Sequence, residues 1–283
     1  MKKLKYDEVG YWSEVKLEII KEYAAAYTAI MSAQRGPKFT YIYIDAFAGA
    51  GKHISRKTRD FVSGTPLNAL DVKNPFHEYH FIDLNDQKVE ELERLAGERP
   101  DVFTYHGDCN EILPKQVLPR VDFNQYRRAL CILDPYGLHL NWEVIETAGR
   151  MESVEIFLNF PVMDINMNVL KHDQGKVEQA QIDRMNAFWG DESWRQVAYA
   201  KAKQQPLPGF GGTPDEKTSN AALEAGFRLR LQHVAGFKYV PDPMPMRNSN
   251  NAILYYLYFA SQNQTGKQIV GDIFKKYSLR RAD

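Results

Sequence analysis

Two cysteines in 283 residues, Cys109 and Cys131, are too few for a disulfide framework, and neither belongs to a C-x-x-C pair. Both fall in apolar stretches beside expected strands and read as buried thiols, so no metal site is expected. No apolar run approaches the ~20 residues of a membrane span. The opening Met1-Lys2-Lys3-Leu4-Lys5 is not followed by the apolar core of a secretory signal, which leaves the cytosol as the expected compartment. Nor is either charge in excess, with 36 Lys plus Arg against 36 Asp plus Glu. The chain therefore lacks the global basic field that draws in nucleic acid, and any such contact has to use a local patch. Lys52, His53, Arg56, Lys57 and Arg59 form the one candidate patch near the motifs, and a solvated loop is its plainer reading.

What is present is ordinary globular composition, 44% apolar and 25% charged, enough for one large α/β domain over residues 1–283. From Tyr11 to Ala33 apolar residues recur at three-to-four spacing and predict an amphipathic helix, the main part of an N-terminal helical extension over 1–36. Short β-branched and aromatic runs follow at Phe39–Ile44, Glu78–Ile82, Val102–Tyr105, Arg128–Leu133 and Val154–Asn159. Helical patterns separate them at Pro66–Val72, Gln87–Ala96, Glu111–Val117 and Trp142–Met151, with Thr65 read as a helix cap and 52–64 as polar and unpatterned. Alternation of this kind predicts a doubly wound, Rossmann-like, mostly parallel sheet with helices on both faces. Residues 163–214 break the pattern and read as a helical insertion or cap ending in the Pro- and Gly-rich 205–212. The late runs Phe237–Val240 and Ala252–Phe259 read as an antiparallel hairpin at one sheet edge.

Ligands of doubly wound sheets lie beyond the carboxyl ends of the strands. Four acids stand there: Asp45, Asp83, Asp108 and Asp134. The small-residue turn Asp45-Ala46-Phe47-Ala48-Gly49-Ala50-Gly51 allows close approach of a ligand to the backbone. It is not a phosphate-binding P-loop, which needs glycine at 46 and a hydroxyl at 53, and Ile54 occupies the third small position of the dinucleotide fingerprint. S-adenosylmethionine (SAM), a nucleoside without phosphates, suits what remains. Asp83, followed by Leu84, is placed for the ribose and Asp108 with Cys109 for the adenine; Asp45 orients the turn or receives the methionine ammonium. In Asp134-Pro135-Tyr136-Gly137 the proline fixes the turn, its carbonyls face a substrate amine, and the tyrosine offers a stacking surface.

In their order along the chain these motifs resemble those of class I SAM-dependent methyltransferases. More narrowly, Lys16 and Tyr23, Tyr43-Ile-Asp-Ala-Phe-Ala-Gly49, Gly64-Thr-Pro-Leu67, Leu133-Asp-Pro-Tyr-Gly-Leu138 and Leu254-Tyr-Tyr-Leu-Tyr-Phe-Ala260 resemble the three-Cys-motif partner protein family. That resemblance implies seven strands with the last hairpin antiparallel, and a separate partner carrying the three cysteines. Base-amine methyltransferases usually show [DN]-P-P-[YFW], whereas a single proline precedes Tyr136 here. The expected activity is methyl transfer from SAM to a nitrogen of a nucleic-acid base. A non-catalytic SAM-binding or structural partner and a small-molecule methyltransferase are the alternatives.

Overall fold

Six of the apolar runs and one segment not read from sequence become the seven strands of one sheet: β1 Thr40–Asp45, β2 Glu78–Asp83, β3 Val102–His106, β4 Arg127–Leu133, β5 Val154–Phe160, β6 Met244–Arg247 and β7 Ile253–Ala260. The computed structural model describes residues 4–171, 174–200, 216–248 and 250–280. The strand order is β3-β2-β1-β4-β5-β7-β6. β1 to β5 pair in parallel, while β7 runs antiparallel to both β5 and β6. Alternate residues of each strand feed opposite faces, as the two-residue period of a pleated strand requires. Ile42, Ile44, Cys131, Leu133, Ile156 and Leu158 enter one core, and Tyr41, Tyr43, Leu130, Ile132, Phe157 and Phe259 the other.

The second core is closed by α1 (Tyr11–Ala33), α2 (Thr65–Leu70) and α3 (Asp86–Ala96). α1 buries the stripe Val15, Ile19, Ile20, Tyr23 and Tyr27, each such side chain contributing ~1.5–3 kcal/mol. The first core is covered by α4 (Cys109–Ile112), α5 (Trp142–Arg150), α6 (Val162–Asn168), α7 (Gln179–Trp189), α8 (Trp194–Ala198) and α9 (Asn220–His233). The last helix, α10 (Gln264–Ser278), returns to pack beside α1. The helices expected within 163–214 are thus α7, α8 and most of α6, with Trp189 and Trp194 buried between them and the sheet. Residues 205–212 lie outside the described residues.

Four local expectations are corrected. The stretch 52–64 is a hairpin, Lys52–Ser55 against Phe61–Ser63, to which Glu8–Val9 adds in parallel as a third strand. Its strands are too short and too polar for a periodic signal; their pairing is completed by residues some 45 positions earlier (Glu8 opposite Ile54). Thr65 is not the cap of α2. Gly64 occupies that position, and the Thr65 hydroxyl instead donates to Asp45. The helix expected over Glu111–Val117 is only the turn α4 followed by a wider π-turn, Leu113–Val117, because Pro114 cannot donate to an α-helical ladder. Finally, the edge partner of β7 is β6, lying in the proline-containing stretch between the two late runs, whereas the 237–240 run makes a single bridge, Tyr239 to Ser261. β6 contains Pro245, which is tolerated because β6 is the edge strand.

Gly149 in α5 sits where an added Cβ would lie 2.1 Å from the carbonyl oxygen of Ala235. Gly149→Ala is therefore expected to destabilise by ~1–3 kcal/mol through overpacking, despite alanine's better helix propensity. A lower urea midpoint at unchanged slope is the expected reading, and an unchanged midpoint would refute this close packing.

Candidate functional site

Five parallel strands end on one rim, and the loops leaving them build two adjoining compartments. After β1 the chain turns sharply. The amide of Ala46 donates to the Ile132 carbonyl at 3.0 Å and that of Ala48 to the Ile82 carbonyl at 2.9 Å, so the turn is stitched to both neighbouring strands. Gly49 has φ +63° and an added Cβ there would meet open space. Gly51, at φ +74°, instead packs on α3, where an added Cβ would lie 3.1 Å from Leu92. Of the two glycines at which close approach is expected, Gly49 borders open space and Gly51 also packs on α3.

Asp83 anchors the first compartment. One of its carboxylate oxygens accepts from the Gly49 amide at 2.8 Å and the other from the Asn85 amide at 2.9 Å, which ties the turn after β1 to the end of β2. Asp108 caps α4 by accepting from the Asn110 amide at 2.9 Å. Asn110 in turn receives the Asn141 amide at 2.7 Å and donates to the His139 carbonyl at 3.1 Å. These loops enclose a cavity of about 430 Å³. Of the residues singled out from sequence, Ala46, Phe47, Asp83, Leu84, Asp108, Cys109 and Tyr136 line it. Arg184 of α7 closes the far side, 3.2 Å from the His139 ring. Burial and the neighbouring Asp108 push the Cys109 thiol up to about 12, so it lines the wall as a neutral, inert group.

The second compartment lies on the α1 side of the rim. Asp45 is fully buried and accepts from the Phe47 amide at 3.3 Å and from the Thr65 hydroxyl. Burial, reinforced by Asp134, raises its carboxyl to about 7 against the opposing pull of Thr65, Phe47 and Lys16. Asp45 thus orients the turn from behind. Ala48 is buried with it, and Pro135 is buried beneath the turn that follows β4. Lys16 of α1 forms a partly buried ion pair with Asp134 and lies 5.4 Å from the centre of the Tyr255 ring. Burial alone would favour its neutral form, but Asp134, Tyr255 and Asp45 outweigh that and keep it a cation. Gly137, at φ +58°, seats the turn against Asp164, whose Oδ2 would be 3.0 Å from an added Cβ.

Tyr136 stays exposed between the compartments, and its hydroxyl donates to Asp7 at 3.1 Å. Lys88 of α3 donates to the same Asp7 oxygen at 2.7 Å. Partial burial opposes ionisation of Asp7, yet the Lys88 and Tyr136 hydrogen bonds hold its carboxyl below the usual range. The short N-terminal strand is thereby strapped over the rim. In the candidate basic patch, Arg59 is paired with Glu8 at 2.8 Å, Arg56 and Lys57 are exposed, and His53 turns inward. Asp7, Lys88, Asn110, Asn141 and Arg184 were not singled out from sequence. Each belongs to a different segment and gains a role only when the fold assembles them.

No protein-family model matches the chain, and no curated protein is similar to it at a significant level. Among solved structures, protein LPL1258 from Legionella pneumophila superposes with a TM-score of 0.50 over 92% of this chain and 90% of that one, at 10% identity. The two share a fold. A SAM-dependent methyltransferase from Mesorhizobium loti superposes at TM-score 0.36 over 83% of this chain and 97% of that one, at 13% identity. The sheet topology itself shows the expected fold class: a mixed α/β, Rossmann-like sheet of seven strands, mostly parallel, with an antiparallel last hairpin. No helix among the described residues is long and apolar enough to cross a membrane.

Two outcomes follow from the buried charges. Lys16→Met removes one partner of the Lys16–Asp134 pair and is expected to cost toward the lower end of ~3–5 kcal/mol, since the Asp134 side chain keeps 29% exposure. Chemical denaturation checks this, and a loss below ~0.5 kcal/mol would show the pair to be inessential. For Asp45 burial raises the folded carboxyl to about 7, above its ordinary value of 3.8, so the folded state holds the extra proton between those values. Its contribution to stability is complete below the lower value and lost as pH rises through the upper one. Asp45→Asn is expected to flatten the decline in stability from acid to neutral pH, and an unchanged slope would exclude Asp45 as its source.

Proposed function

We propose that this chain is a SAM-dependent methyltransferase whose acceptor is a nitrogen on a nucleic-acid base, working with a partner protein that carries a three-cysteine motif. The observation that carries the reading is the meeting of Phe47, Asp83, Asp108 and Tyr136 on one cavity beside the paired Asp134. The residues fit the cofactor. Both Asp83 oxygens are fixed by backbone amides yet keep a lone pair each for ribose hydroxyls, and the space beside Gly49 is open. Asp108, the Cys109 backbone and Leu84 frame the adenine end, while Asp45 holds the glycine turn in shape. When bound, SAM supplies an activated methyl group on a sulfonium.

The chain's own contribution is then mostly positioning. Lys16 holds Asp134 in place as a hydrogen-bond acceptor for the substrate amine, and the buried Pro135 fixes the turn that carries it. Tyr136, held by Asp7, presents its ring as a stacking face for a base. A base within a duplex has to be extruded to reach it. The exposed Arg56 and Lys57 on the adjoining hairpin suit a phosphate backbone. The partner assignment rests on the sequence resemblance, since this chain's Cys109 and Cys131 are both buried. The even charge balance favours a second reading, in which the acceptor is a small molecule.

Calorimetry with SAM tests the cofactor site. Asp83→Ala is expected to weaken binding at least tenfold, ~1.4 kcal/mol, whereas Asp134→Asn is expected to leave affinity nearly unchanged and abolish transfer of a labelled methyl group to total RNA or DNA. Absence of heat with the unmodified protein would end the SAM reading. Label found only in a metabolite extract would move the acceptor to the small-molecule class.

A further inference from the structure

At the other end of the sheet, where β4 and β5 begin, α1 and the start of α10 leave a cavity of about 440 Å³, within the ~300–1,000 Å³ of small-molecule sites. It shares no residue with the cavity at the opposite rim. Phe39 before β1, Arg128 of β4, Glu155 of β5 and Ser261 after β7 line it, with Tyr27 and Met31 of α1 as an apolar wall. Glu155 stands opposite Leu130 in the parallel pairing, and Arg128 lies two residues before Leu130. Both side chains therefore leave the face that carries Leu130, from α-carbons ~8 Å apart by strand geometry. Glu155 accepts from the Ser261 hydroxyl at 2.8 Å and from the Tyr23 hydroxyl, and no Lys or Arg pairs with it among the described residues. Burial raises its carboxyl against those two hydrogen bonds. The Arg128 guanidinium lies 3.9 Å from the centre of the Phe123 ring and 5.2 Å from that of Phe39. Its Nη1 donates to the carbonyls of Phe123 and Arg127, while Nε and Nη2 make no hydrogen bond and no carboxylate pairs with it among the described residues. The other two charges at the cavity, Glu152 and Lys238, pair with each other at 3.8 Å.

One cavity thus holds an acid and a base on the same sheet face, each short of a counter-ion and not paired with the other. A charge withheld from water without a partner is costly, and a ligand that brings the opposite charge offsets that cost. We propose that this cavity binds a free apolar amino acid, its ammonium on Glu155 and its carboxylate on Arg128. The ammonium donates to the lone pairs of Glu155 that Tyr23 and Ser261 leave free. Arg128, held against the rings of Phe39 and Phe123 by cation–π attraction, turns the unused Nε and Nη2 edge to the carboxylate, whose two oxygens match that fork. Side chains rooted ~8 Å apart on one face both reach a molecule whose two charges sit on one carbon. The apolar body rests on Tyr27 and Met31. A plain carboxylate leaves Glu155 without a counter-ion and a plain amine does the same to Arg128, so the site selects the zwitterion. The proposal does not depend on the methyltransferase reading.

The test is calorimetry of the full-length protein with L-phenylalanine, L-tryptophan, L-leucine and L-methionine, each titrated to about 10 mM. At least one is expected to bind one to one with a Kd of about 1 mM or tighter. For that amino acid, the analogue without the ammonium and the analogue without the carboxylate are each expected to bind at least about tenfold more weakly. For phenylalanine these are 3-phenylpropionate and 2-phenylethylamine. Arg128→Met and Glu155→Gln are each expected to weaken binding by about tenfold or more, and Asp83→Ala at the opposite rim to leave it within about twofold. The analogue comparison uses the unmodified protein, so it decides the question even where Glu155→Gln does not fold. No heat from any of the four amino acids, an analogue as tight as its parent, or full affinity in folded Arg128→Met would each overturn the proposal. Loss of binding on Asp83→Ala would also overturn it, by moving the amino acid to the rim cavity.

Discussion

Asp134 leaves β4 in the seam between the sheet and α1, a place where an ionised carboxylate without a partner costs several kcal/mol. Lys16 resolves that cost from 118 positions away in sequence, and the position of α1 on the sheet is coupled to the pair. The apolar stripe of α1 gives the helix its affinity for the sheet, but a smooth stripe against β-branched and aromatic residues permits sliding. A single partly buried ion pair, with Tyr255 beneath the ammonium, does not. The registry of α1 in turn fixes the short strand before it, and so the place of Asp7 over Tyr136.

The strand-end acids divide although the pleat sets Asp45, Asp83 and Asp134 after Tyr43, Phe81 and Ile132 of one face. Asp45 and Asp134 follow Tyr43 and Ile132 at the two-residue period and so share their face, toward α1. Asp83 is drawn the other way, since its two oxygens cap the amides of Gly49 and Asn85 where the turns cross the rim. One rim thus carries a cavity with an accessible carboxylate and, next to it, a seam with a compensated one. Under the function proposed above, the cavity would serve as the cofactor wall, which forms hydrogen bonds, and the seam as the acceptor wall, whose charges are already neutralised. Tyr136 stands at the junction and belongs to both.

The strands, the long first helix and the four rim acids were legible because each is a local pattern: a two-residue or 3.6-residue period, or an acid directly after an apolar run. What escaped was decided by distant partners. The Lys52–Ser55 strand has no apolar rhythm and exists because Glu8–Val9 and Phe61–Ser63 satisfy its backbone. Thr65 reads as a cap, but the buried Asp45 competes for its hydroxyl and wins, since an ionisable group inside a core is costlier to leave unsatisfied than a helix amide at the surface. Gly51 reads as a ligand-approach glycine, and only the leucines of α3 show that it also packs on that helix. For β6 the prolines misled, because proline excludes a strand from the middle of a sheet and not from its edge.

The residues strapped over the rim come from positions 7, 88 and 136, joined through one carboxylate. Such a junction has no local origin. It depends on α3, on the turn after β4 and on the segment before α1 all being in place. It also holds few buried apolar groups, which puts it at the low end of local stability. Under the proposed function the site admits a large acceptor, and a hydrogen-bonded cover over an exposed ring opens more cheaply than a packed one. The Asp83-bound turn and the Lys16–Asp134 pair are held by contacts that do not involve that junction.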